Sequence, residues 1–194
     1  MKIRILITAL VALSLALAAC DYDGAVDQGR AVAYEINKNV TLVLDTSKVR
    51  NKPVYNGKTV TYKLPVEAID MGPEPVFGGL LAVNPDKKTV SVYDAPSMSA
   101  KELPVEFTDV QKDIGARHPL VVDKKFPVID KEKQTVTVYV PSLRSLATFN
   151  PGAAIAMPDS TWKFGDEVRV AYKNTDKAQS LRLMNVSKTN IFNR

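Results

Sequence analysis

Leu80-Leu81-Ala82-Val83-Asn84-Pro85-Asp86-Lys87-Lys88-Thr89-Val90-Ser91-Val92-Tyr93 is the stretch whose reading decides the fold class. Two apolar, β-branched runs flank a polar Asn-Pro-Asp-Lys-Lys segment, and the second run alternates with period two. Successive side chains of a strand point to opposite faces, so such a run buries one face and wets the other. Proline and Asx residues between two such runs are turn formers, and the unit reads as a hairpin. Working outward, Ala31 to Ile36 and Val40 to Leu44 flank Asn37-Lys38-Asn39 in the same way. Phe126 to Ile129 with Thr135 to Tyr139, and Glu167 to Tyr172 with Ser180 to Val186, repeat the pattern. The chain's 12 prolines stand mostly at the ends of these runs, where a missing N–H does least harm. No amphipathic helix pattern of ten or more residues competes, and the predicted class is mainly β.

The hairpins are arranged in an internal echo. Pro65, Ala68, Ile69 and Met71 match Pro151, Ala154, Ile155 and Met157 at a constant offset, and Phe77, Gly78 and Val83 match Phe164, Gly165 and Val170 one residue later. The spacing predicts a tandem duplication, each copy being hairpin, third strand, apolar connection, Phe-Gly turn and hairpin. Five strands in about 65 residues suit a small closed sheet, because closure removes the exposed edges of short strands. Gly165-Asp166-Glu167-Val168-Arg169-Val170 resembles the last hairpin of small bacterial β-barrel domains, which implies two SH3-like or OB-like modules. Their predicted bounds are 30–95 and 123–190, with 96–122 as a connection in which Leu103 to Val110 adds a strand and Gln111 to Leu120 forms a surface loop. A single fused β-sandwich is the alternative if the echo is accidental.

The first residues have a different character. Lys2 and Arg4 precede an apolar run from Ile5 to Ala19, the pattern of a secretory signal at 1–19. Fifteen helical residues reach roughly 22 Å, short of the ~30 Å hydrocarbon core, so the run reads as removable. Leu17-Ala18-Ala19-Cys20 resembles the lipobox of bacterial lipoproteins. That resemblance implies cleavage before Cys20, a diacylglycerol thioether on its sulfur and acylation of the new amine. Two or three acyl chains hold firmly where one anchors only marginally. By the sorting rule of enterobacterial lipoproteins, Asp21 implies retention in the inner membrane, facing the periplasm, in preference to the outer membrane. Residues 20–29 then read as a lipidated tether. The whole-chain pattern also resembles bacterial lipoproteins carrying domains of unknown function, a resemblance that implies no particular activity.

Loss of Lys2 and Arg4 takes the formal charge from +5 to +3, with basic residues interspersed among acids. No basic block or basic–aromatic stripe suggests nucleic acid. Cys20 is the only cysteine, so once lipidated it leaves no thiol for a disulfide, thiol catalysis or a thiolate metal site. Packing must hold the fold, and 45% hydrophobic residues suffice for that.

Several constellations invite a chemical reading. Thr41-Leu42-Val43-Leu44-Asp45-Thr46-Ser47 resembles the active-site turn of aspartic proteases, but that chemistry needs two carboxylates sharing a proton. The corresponding place in the second copy, Val140-Pro141-Ser142, carries no acid, and an Asx turn closing a strand is the structural reading. Ser160-Thr161-Trp162-Lys163 matches the Ser-x-x-Lys of penicillin-binding enzymes, yet it leads into a strand where a helix is required. Trp162 reads as a core or rim aromatic. His118 is the sole histidine, which excludes a multi-histidine metal site. Gly57-Lys58-Thr59 lacks the upstream glycine of a P-loop. Met71 and Met157, each beside a proline and an acid, read as plugs for an open end of the β modules, with a paired rim for a peptide or glycan as the functional alternative.

The expectation is therefore a non-enzymatic, lipid-anchored binding module of the cell envelope, with no cofactor and no metal, whose partner is another envelope protein. The alternatives are a hydrolase or protease using carboxylates such as Asp45, and a structural lipoprotein docking onto a larger envelope complex.

Overall fold

The computed structural model describes residues 24–47, 49, 52–173 and 180–185. The predicted signal peptide, Cys20 and Asp21 lie outside these residues. Twelve strands run β1 (Gly24–Glu35), β2 (Asn39–Asp45), β3 (Tyr55–Lys63), β4 (Leu80–Asn84), β5 (Thr89–Asp94), β6 (Ser99–Pro104), β7 (Glu106–Gln111), β8 (Val128–Asp130), β9 (Thr135–Val140), β10 (Ser145–Asn150), β11 (Glu167–Lys173) and β12 (Ser180–Asn185). The helical elements among the described residues are short 3₁₀ turns, so the chain is mainly β as its alternation requires.

Local chemistry explains the strands well. In β9 the residues Val136, Val138 and Val140 are buried while the intervening Thr135, Thr137 and Tyr139 are half-buried, the period-two pattern of a strand on a core. In β2, by contrast, Leu42 and Val43 are both fully buried. The sheet is covered on both faces there: Leu42 enters one core with Tyr62 and Val170, and Val43 another with Val32, Tyr55 and Leu81.

The strands form three sheets, and no described sheet closes into a barrel. The first has the order β12-β11-β1-β2-β3, the second β7-β10-β9-β8, and the third β4-β5-β6. The second and third sheets share the largest core, built on Leu80, Val90, Val138, Phe149 and Trp162. Phe149 meets Trp162 edge-on at 5.9 Å between ring centroids, a favourable aromatic geometry.

Three sequence expectations change. The stretch read as a tether through residue 29 is, from Gly24 onward, strand β1. Its polar residues are engaged: the Tyr62 hydroxyl donates to Asp27, and the Gln28 side chain donates to Glu167. Second, the expected modules do not each keep a sheet to themselves. β1 is long enough to pair twice, Gly24 to Arg30 with β11 and Gly29 to Glu35 with β2. The first sheet therefore draws strands from both expected modules, 30–95 and 123–190. Third, the single strand expected at Leu103 to Val110 is two strands, β6 and β7. Buried Val105 pins the chain between them by donating its amide to the Lys88 carbonyl at 2.9 Å.

The echoed Phe-Gly turns lie against each other and against Ala31 of β1. The Gly78 amide donates to the Ala31 carbonyl at 3.1 Å, and the Ala31 amide donates to the Asp166 carbonyl at 2.8 Å. Asp166 in turn donates to Val76, and Leu80 to Lys163. A Cβ on Gly165 would lie 1.9 Å from the Ala31 carbonyl oxygen, and one on Gly78 would lie 2.3 Å from that of Lys163. Only glycine lets these backbones approach so closely.

Candidate functional site

A cleft of about 850 Å³ lies between the first sheet and the shared core of the other two. Leu81 and Val83 of β4, Val138 and Val140 of β9, and Trp162 make its walls largely apolar. Arg30, Tyr55 and Glu167 bring the polar groups.

Those three residues are held together by strand register. Arg30 and Glu167 are direct partners in the β1–β11 ladder. Glu167 is 4% exposed, a costly place for a carboxylate unless it is well bonded. It receives the Tyr55 hydroxyl on Oε2 and the Gln28 amide on Oε1, both at 2.6 Å. Arg169 supports the arrangement by donating from Nε to the Gln28 side-chain Oε1 at 2.7 Å. The Arg30 guanidinium lies 4.3 Å from the Tyr55 ring centroid and 5.2 Å from that of Phe164, so it is sandwiched between two aromatic faces. Its Nη1 donates to the Gly165 carbonyl at 2.8 Å. Burial pushes the Tyr55 hydroxyl well above the ordinary tyrosine range; the Arg30 charge opposes this, and donation to Glu167 reinforces it.

Two buried donors of the cleft lining, Arg30 Nε and Trp162 Nε1, have no hydrogen-bond partner among the described residues. Both atoms are enclosed by protein, so they lie behind the cleft surface and do not face its open space. Lys52 adds a further positive charge at the rim and makes no ion pair among the described residues.

The residues singled out in the sequence lie mostly elsewhere. Asp45 Oδ1 accepts the backbone amides of Ser47 and Val54, both at 2.8 Å, and so closes the β2–β3 connection as an Asx turn. Its oxygen is thus engaged by backbone, an arrangement that offers no proton-sharing acid pair. His118 is half-buried in a turn, with Nδ1 accepting the Leu120 amide at 3.2 Å. Ser160 sits in a 3₁₀ turn, Asp159–Trp162, and Lys163 is exposed just beyond it. Gly57, Lys58 and Thr59 lie within β3. Met157 packs on the largest core, and Met71 packs on the core of the first sheet while bridging to Leu183. No group of three or more His, Cys, Asp or Glu side chains converges among the described residues.

Only Trp162 was singled out in the sequence among the residues that form the polar side of this cleft. Glu167 and Arg169 share one face of an alternating strand, and that pattern reads as solvent-facing. Nothing local announces that Tyr55 and Gln28, more than 100 positions away in sequence, cover it.

The chain belongs to the family described as a domain of unknown function, DUF4881, which matches residues 21–194. No curated protein and no solved structure matches it.

Proposed function

We propose that this protein is a lipid-tethered module of the bacterial cell envelope that faces the periplasm and binds another envelope component in its cleft, without transforming it chemically. The observation that carries the binding reading is the cleft itself, about 850 Å³ with largely apolar walls and with Arg30 and Lys52 in its lining, beside a carboxylate, Glu167, that is already engaged. Such a site suits a ligand with apolar groups for its walls and a negative group for Arg30 and Lys52. Anchoring rests on the Leu17-Ala18-Ala19-Cys20 motif, and inner-membrane retention on Asp21. With β1 starting at Gly24, little chain separates Cys20 from the folded body, which would stand close to the bilayer.

The architecture has a matching reading: a tandem duplication whose copies exchange hairpins, so that β11 and β12 of the second copy complete the sheet begun by the first. The echoed Phe-Gly turns at the crossing support it, because both glycines meet backbone there.

The test is crosslinking of the full lipidated protein in its native membranes, comparing wild type with Leu143→Asp. Leu143 is an exposed residue of the cleft wall. One specific partner, lost from the variant, is the expected result. A partner retained by the variant would place binding elsewhere. Cys20→Ser should abolish labelling by a radioactive fatty acid and release the protein from membranes; continued labelling would remove the anchor.

A further inference from the structure

The two sequence copies treat equivalent strands differently. Phe164-Gly165 leads into β11, and Phe77-Gly78 leads into β4. β11 has neighbours on both sides, β12 on one and residues Gly24 to Arg30 of β1 on the other. Among the described residues β4 pairs as a strand with β5. On its other side only Leu80 is met, its amide donating to the Lys163 carbonyl and its backbone bridging to Phe164, so the edge is open from Leu81 to Asn84. The counterpart of β1 in the second copy is β8, which spans only Val128–Asp130 and is itself an edge. The chain before β8 is taken up in turns, so the stretch that would pair with β4 is not supplied by that copy. The cleft lies at this gap: Leu81, Ala82 and Val83 of β4 line it, together with Phe126 and Pro127, which lead into β8.

We infer that the free edge of β4 takes an extended peptide segment of a partner protein, added as a strand inside the cleft, with a carboxylate of that segment held by Arg30 and Lys52. The inference rests on the cleft-binding reading above and names its ligand. Three observations choose a peptide. The backbone of β4 beyond Leu80 offers main-chain hydrogen bonds that an extended chain matches. The equivalent edge of β11 is already filled by a seven-residue strand of this chain, Gly24 to Arg30, which shows the occupant that such an edge accepts. Leu81, Val83, Val138 and Val140 provide apolar contacts for alternate side chains. Charge chooses the acid. Glu167 and Asp166 both accept hydrogen bonds from within the protein, from Tyr55 and Gln28 and from the Val76 amide, whereas Lys52 makes no ion pair among the described residues and the Arg30 guanidinium lines the cleft beside it. Leu81 packs with Tyr55, over whose ring Arg30 lies, so the carboxylate would sit near the start of β4.

The experiment presents a library of random heptapeptides to the full-length lipidated protein in nanodiscs, then resynthesises the tightest binder. N-methylation at each position in turn should weaken binding about tenfold or more at every second residue, because alternate amides of an added strand face the edge. Bound peptide should also slow hydrogen exchange of the amides between Ala82 and Asn84. Replacing the peptide's acid by its amide should cost about tenfold, a readout that does not depend on the folding of an Arg30 variant. A flat N-methyl profile, protection elsewhere, or no binder at all would overturn strand addition. If the membrane partner is still lost from Leu143→Asp in that case, the cleft-binding reading survives and strand addition alone fails. A benzoylphenylalanine at Ala82 that crosslinks only to this chain, its own or a second copy's, would also overturn it.

Discussion

The first sheet and the pair of smaller sheets are both assembled from short hairpins and end differently. In the first, β1 runs for 12 residues and serves two neighbours, so β11 is an interior strand and its core of Leu42, Tyr62, Val170 and Leu183 is covered. In the others, β8 is three residues long, β4 and β8 remain edges, and a cleft opens between the walls of the largest core. Strand length thus separates a half that completes itself from a half that leaves an edge for something else. The cleft is a consequence of where pairing stops.

The largest expected effect tests the open half. Trp162→Ala removes the largest fully buried side chain from the core beneath the cleft and should cost about 3–5 kcal/mol in urea unfolding. A loss below about 1 kcal/mol would mean that the open half contributes little to the cooperative fold. Next is the crossing between the halves. Gly165→Ala places a Cβ against the Ala31 carbonyl and should cost about 3 kcal/mol. Gly152→Ala, with open space around it but φ of +59°, should cost only about 1 kcal/mol. Equal losses at the two sites would show that backbone contact at the crossing is not what requires glycine there.

Tyr55→Phe leaves Glu167 buried with one partner fewer and should cost about 1.5–3 kcal/mol near neutral pH. The same hydroxyl, with that of Tyr62, governs alkaline stability. Burial chiefly raises both above the ordinary tyrosine value of 10.0, and donation to Glu167 and Asp27 adds to the shift. A raised folded-state value favours the protonated form in the fold. The associated stability is therefore complete below the unfolded value and is lost progressively as pH climbs beyond it. Unfolding titrations should show a decline starting near pH 10, shallower in Tyr55→Phe and in Tyr62→Phe. An unchanged slope in both variants would assign the alkaline transition to other groups.

The smallest contrast compares two isoleucines that the sequence makes equivalent. Ile155 packs against the largest core, while Ile69 is 87% exposed. Ile155→Ala should cost about 1–2 kcal/mol, and Ile69→Ala should stay within about 0.5 kcal/mol of wild type. A cost at Ile69 matching that at Ile155 would indicate that something covers Ile69 in solution.

Much of this architecture was legible in advance. The four hairpins appear where alternation and turn chemistry put them, and the Asp45 segment is the Asx turn that its place at a strand end suggests. The internal echo identified the glycines at the crossing without revealing why they are glycines. The cleft was barely legible. Arg30 and Glu167 are ordinary polar members of alternating strands, and their burial depends on which strand becomes the neighbour of which.

The sequence by itself determined the class of the protein. Period-two patterning and proline placement are local properties, and they act on each strand before any partner is chosen. Its one cysteine, and the motif that ends there, likewise stand in contiguous residues. Only the tertiary structure decided that β11 pairs with β1 while β4 stays an edge. Pairing between strands more than 100 residues apart is chosen by competition among edges of similar local sequence, and the outcome depends on strand length, bulges and the covering of both sheet faces. The buried carboxylate, the stacked guanidinium and the cleft that they line all follow from that choice.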